Sequence, residues 1–165
     1  MADTYTCLRY HLVFATRERM PWLVKPLRDD LYDYIGGLMV RKQTMLLAIG
    51  GVEDHVHLLA SFRPAVSVAE VVRQIKAISS RWINQRPDFE GTFVWQKGYA
   101  AFTVSQSQVP TVRRYILRQE QHHHGSTFEV ELQNLAERHG LPWEGLSTSS
   151  HPARAGAPEV PKGRQ

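Results

Sequence analysis

A single cysteine, Cys7, in 165 residues excludes an internal disulfide and any multi-cysteine zinc site. Cys7 itself reads as a small buried apolar residue. Long apolar runs are missing too: nothing approaches the roughly 18 to 20 residues a membrane-spanning helix requires. The first ten residues lack the basic-then-apolar pattern of a secretory signal, so the expectation is a cytoplasmic protein with no membrane partner. Strong charge of one sign is also absent, the formal net charge being only +4. Hydrophobic residues at 42% and charged residues at 22% are ordinary globular usage, which excludes collagenous and wholly disordered classes.

What charge there is clusters. From Arg63 to Arg118 nine basic residues face three acidic ones, a local balance of +6. Such a stretch suits a phosphate-bearing partner, although a solvated basic helix face would look the same.

Patterning sets the order of elements. Thr6 to Thr16 is rich in β-branched and aromatic residues and reads as a strand ending at Arg17-Glu18-Arg19. Lys25 to Lys42 carries Leu27, Leu31, Tyr34, Ile35, Leu38 and Met39 at helical spacing, opened by Pro26. Thr44 to Ile49, closed by Gly50-Gly51, and His55 to Phe62 form an antiparallel hairpin. Ser67 with Glu70 makes a capping box for a helix through Asn84, and Thr92 to Ser105 supplies one or two further strand segments around Gly98. Val109 to His123 is helical, with Val112, Ile116 and Leu117 inward, and a last helix runs from Thr127 to His139 with Gly140 as its terminator. The fold class is therefore α+β: a ferredoxin-like split βαβ arrangement, an antiparallel sheet with helices on one face plus C-terminal helices. One domain is expected over residues 1–146, and the Ser, Pro, Ala and Gly composition of 147–165 predicts a disordered tail.

Two positions apart on a strand, His55 and His57 point to the same face. Four apart on a helix, Tyr115 and Gln119 do likewise. Each pair alone has an ordinary structural explanation. Combined, two imidazole nitrogens and an amide oxygen make a three-ligand site with open positions, suited to Mg²⁺ or Mn²⁺ that must also hold phosphate oxygens. A tyrosine hydroxyl, weak as a nucleophile near neutral pH, becomes competent beside a Lewis acid.

The segments Tyr10-His11-Leu12-Val13-Phe14, Asp54-His55-Val56-His57-Leu58-Leu59, Lys76-Ala77-Ile78-Ser79-Ser80 and Tyr115-Ile116-Leu117-Arg118-Gln119, followed by His122-His123, resemble the single-tyrosine HUH transposases of the insertion sequence 200-like type. The REP-associated tyrosine transposases are near relatives. The resemblance spans about Thr6 to Gly140. It implies a single-strand DNA transposase that recognises hairpins, cuts by tyrosine attack, and leaves a 5′-phosphotyrosine and a free 3′-hydroxyl. It makes His55, His57 and Gln119 the metal ligands and Tyr115 the nucleophile. It also implies a homodimer with composite active sites, the histidine pair of one subunit meeting the tyrosine helix of the other. Gly51-Val52-Glu53 departs from the small-residue and proline turn common in the family.

Arg73, Lys76 and Arg81, with Arg113, Arg114 and Arg118, are the candidate phosphate contacts. Trp95, Tyr99 and Phe102 could stack on bases, although Trp95 and Phe102 fit a core better. Two alternatives to the transposase stay open: a domesticated nucleic-acid-binding module that no longer cuts, and a metal-dependent hydrolase using water as nucleophile.

Overall fold

The structure is a computed structural model that describes residues 3–122 and 125–145; His123, His124 and the proposed tail lie outside the described residues. It divides into two compact units, Met1–Phe128 and Glu129–Gln165. The first is built from β1 (Leu8–Ala15), α1 (Lys25–Arg41), β2 (Met45–Gly51), β3 (His55–Phe62), α2 (Val68–Asn84), β4 (Ala100–Thr103), α3 (Val109–Leu117) and the single turn α4 (Gln119–His122). The described part of the second is dominated by α5 (Phe128–Arg138). Gly140, at φ +68°, ends α5, and Leu141 N–H donates back to the Ala136 carbonyl. Among the described residues no helix is long and apolar enough to cross a membrane.

The four strands form one antiparallel sheet in the order β2-β3-β1-β4. Its two faces follow from side-chain alternation. Leu12 and Phe14 of β1 and Val56 and Leu58 of β3 pack with Leu27, Leu31 and Ile35 of α1 and Val72 and Ile75 of α2. On the opposite face Ala48, Leu59 and Val104 pack with Ile116 of α3, with Tyr115 against that cluster. His55 and His57 alternate with Val56 and Leu58 and so lie on the α3 face. Leu117, expected inward, is exposed on α3, and Cys7, expected buried, is exposed ahead of β1. At residue 7 the chain has not yet entered the β1 ladder, so no neighbouring strand covers it.

Local chemistry explains the element ends. Ser67 Oγ accepts from Glu70 N–H at 3.3 Å, while the Glu70 carboxylate turns to Arg73 instead of completing the box. Of the strand segments expected around Gly98, β4 follows it, and the stretch before it reaches the sheet through a bridge between Thr16 and Trp95 while also being held by side chains of α2. Asn84 brackets Phe93, donating to its carbonyl at 3.0 Å and accepting from its N–H at 2.7 Å. Lys76 Nζ donates to the carbonyls of Gln96 and Gly98, both at 2.6 Å. These bonds satisfy backbone groups that a longer strand would pair in a ladder, while Arg17 N–H donates to the Val94 carbonyl at 2.9 Å and Gln96 N–H to the Ala15 carbonyl at 2.8 Å on either side of the bridge. The helix expected over Val109 to His123 breaks at Arg118 (φ −102°, ψ 16°), dividing α3 from α4.

Candidate active site

His55 opens β3 and His57 faces Gly50 across the ladder; both side chains are fully buried, their ring centroids 5.0 Å apart. Each ring is oriented through Nδ1. His55 Nδ1 donates to Asp54 Oδ1 at 2.6 Å, and His57 Nδ1 shares a hydrogen bond of 2.8 Å with Nε2 of His11. With Nδ1 engaged on both rings, Nε2 is the nitrogen each offers to an ion. A buried imidazole held this way is the form in which histidine commonly ligates metal. The donor set therefore fits a divalent cation of the nitrogen-and-oxygen-binding type.

Tyr115 arrives from α3 of the same chain. Its ring stands 5.7 Å from that of His57 at 88° and 6.0 Å from that of His11 at 75°, edge-to-face in both cases. Gly50 permits this approach. A Cβ placed there would lie 2.0 Å from the Ile116 carbonyl oxygen, so α3 can settle on β2 only where no side chain intervenes. Gly51 has the same role within the hairpin, since its Cβ would meet the His55 carbonyl oxygen at 2.2 Å. The Tyr115 ring thus packs against the His57 imidazole of the same chain.

Gln119 lies beyond the break at Arg118, so it does not continue the Tyr115 face of one unbroken helix as expected. It opens α4 and is buried. Arg28, buried in α1, holds this region. Its guanidinium donates to the Leu23 carbonyl at 3.1 Å, pairs with Glu120 next to Gln119, and stands 3.8 Å from Glu53 in the turn leading to His55. One buried cation thereby ties α1 to both the histidine turn and α4.

The candidate phosphate contacts divide into two groups. Arg113, Arg114 and Arg118 are exposed on or just after α3, on the Tyr115 side of the sheet. Arg73 and Arg81 are exposed on α2, which covers the other side. Arg73 is bound to Glu70, whose carboxyl that arginine, with Gln74, pulls down to about 2. Lys76 is occupied by the two carbonyls described above, and burial pushes its amine down to about 8. Trp95 and Phe102 are buried, while Tyr99 is exposed.

Four contributors carry little or no signal in the sequence. His11 was legible only as part of a motif, Gly50 only as a strand terminator, and Arg28 not at all, because a long-range ion pair leaves no local spacing signal. Phe128, the last residue of the first unit, also went unmarked; its ring packs 4.6 Å from His55.

A paired-histidine strand beneath a tyrosine-bearing helix, on a four-stranded antiparallel sheet, defines the single-tyrosine HUH class. The match is to a particular family within it: residues 4–119 fit the family model described as "Transposase IS200 like", and the chain belongs to that family. It is 27% identical over 114 residues to ISDra2 transposase TnpA of Deinococcus radiodurans, covering 66% of this chain and 81% of that protein. A solved transposase candidate from Deinococcus radiodurans R1 superposes with a TM-score of 0.56 at 27% identity, over 70% of this chain and 93% of the other. A REP-associated tyrosine transposase, solved bound to a REP hairpin, superposes with a TM-score of 0.57 over 97% of this chain and 98% of its own. At 14% identity that likeness shows a shared fold.

Proposed function

We propose that this protein is a metal-dependent DNA transposase that cleaves and rejoins single-stranded DNA at hairpin-marked sites through a 5′-phosphotyrosine intermediate. The observation that supports the reading most is the edge-to-face contact of Tyr115 with the buried His57 at 5.7 Å, the arrangement expected if a nucleophile works beside a ligand pair. His55, His57 and Gln119 would hold Mg²⁺ or Mn²⁺, which when bound supplies Lewis-acid polarisation of a phosphodiester.

The chain's own residues account for the remaining requirements. The Tyr115 phenol oxygen attacks phosphorus and loses its proton. The bond from phosphorus to the 3′-oxygen breaks, and that oxygen leaves as a hydroxyl after taking up a proton. A new oxygen-to-phosphorus bond on Tyr115 keeps the 5′-phosphate covalent, so a second 3′-hydroxyl can reverse the step without an external energy source. Arg113, Arg114 and Arg118 hold flanking phosphates and fix the strand's register. Family membership and the REP-hairpin-bound fold neighbour support a hairpin substrate. Tyr115 and His57 of one chain suffice for the juxtaposition, whether or not the protein is a homodimer.

The test is a labelled single-stranded hairpin incubated with Mg²⁺. Wild type forms a covalent protein–DNA adduct and Tyr115→Phe forms none while still binding the hairpin. Cleavage retained by Tyr115→Phe would instead indicate water as the nucleophile, and binding without cleavage by wild type would indicate a non-cutting module.

A further inference from the structure

We propose that His11 is a positioning residue for the metal centre, selecting the tautomer of His57 that can ligate; the inference rests on the metal-ligand reading of His57 above.

His11 sits in the middle of β1, opposite Leu59 on one side and Phe102 on the other, and is 3% exposed. Its Nε2 lies 2.8 Å from Nδ1 of His57. Two neutral imidazoles sharing one hydrogen bond have two arrangements. In the first, His57 carries its proton on Nδ1 and donates to His11 Nε2, which leaves His57 Nε2 with the lone pair a metal requires. In the second, His11 carries its proton on Nε2 and donates to His57 Nδ1, and the His57 proton moves to Nε2, where it blocks ligation. Only the first supports metal binding, and it requires His11 to keep its own proton on Nδ1.

His55 meets the same requirement with a carboxylate, Asp54, which can only accept from Nδ1 when ionised. The two rings are therefore fixed by different means: one by a neighbour in sequence, the other by a histidine 46 residues away on the adjacent strand. His11 also lies against the Tyr115 ring at 6.0 Å, so the group that orients the ligand also packs on the proposed nucleophile.

His11→Phe keeps a ring of similar size against Tyr115 and Phe102 and removes the acceptor. His11→Gln presents a carboxamide oxygen at about the reach of Nε2 and restores it. Mn²⁺ affinity, measured by calorimetry without DNA, should weaken about tenfold to a hundredfold in His11→Phe, the range for loss of an outer-sphere partner, and recover to within a few-fold of wild type in His11→Gln. Long-range proton–nitrogen spectra of the metal-free protein should show His57 protonated on Nδ1 in wild type and as a tautomer mixture in His11→Phe.

Unchanged Mn²⁺ affinity in a folded His11→Phe variant, with affinity lost in His57→Ala, would overturn the inference and leave the proposed function standing. Conversely, a His11-dependent Mn²⁺ affinity in a protein that forms no DNA adduct would uphold the inference and overturn the function. If His11→Phe fails to fold, the wild-type spectrum still decides: a proton on His57 Nε2 overturns the inference.

Discussion

Replacing Gly50 with alanine tests whether the sheet and the tyrosine helix are matched in shape. Gly50 faces His57 in the ladder and lies beneath Ile116, the residue after Tyr115. An added Cβ would stand 2.0 Å from the Ile116 carbonyl oxygen, 2.9 Å from its carbonyl carbon and 3.2 Å from its Cγ2. Two of these atoms are backbone, so no flexible side chain can absorb the collision. Ordinary contact begins near 3.4 Å, which requires α3 to retreat by about 1.4 Å. Overpacking of this kind costs about 1–3 kcal/mol. Displacing a reacting group by about 1 Å costs on the order of a hundredfold in rate. Gly50→Ala should therefore lower the adduct-forming rate at least a hundredfold while Mn²⁺ affinity falls far less, because the retreat carries Tyr115 and the neighbouring Gln119 with it but leaves both imidazoles on β3. Single-turnover kinetics on a labelled hairpin, with calorimetry and a urea melt of the same preparation, provide the readouts. Wild-type rate and stability in Gly50→Ala would refute the reasoning.

Three further expectations follow from named contacts. Mixing His57→Ala with Tyr115→Phe should yield no adduct if each chain supplies both groups to one site, whereas composite sites across a dimer would restore it. Glu120→Ala leaves the buried Arg28 guanidinium without its closest carboxylate and should cost about 1.5–3 kcal/mol in a urea melt, the usual range for a hydrogen bond to a charged group; a loss below about 0.5 kcal/mol would remove that pair from the account. Folded Lys76 sheds its proton at about 8 against 10.5 for an ordinary lysine, so between those values the unfolded chain binds more protons and this group makes stability rise with pH; Lys76→Met should flatten that slope.

The sheet and its first two helices were legible because their signals are local. β3 begins and ends where the alternation of His55 to Phe62 does, and α2 opens at its Ser67 cap. Legibility fell where long-range contacts replace local pattern. Residues 92–96 have strand-like composition, yet Asn84 takes both backbone groups of Phe93 and Lys76 the Gln96 carbonyl, so pairing with the sheet is confined to one bridge and its flanking bonds. Nothing in the composition of the tyrosine helix marks its break at Arg118. At the site, the histidine pair and the tyrosine each carried a spacing signal. The histidine behind one ligand and the glycine beneath the helix did not, since each acts through a partner distant in sequence.

The central claim, that the Tyr115 oxygen becomes bonded to DNA, is tested most directly by peptide mass spectrometry after a metal-supported reaction with a single-stranded hairpin and nuclease trimming. A nucleotide mass is expected on the peptide containing Tyr115, with fragmentation placing it on that side chain. Cut DNA with an unmodified Tyr115 peptide, or the nucleotide on another residue, would contradict it.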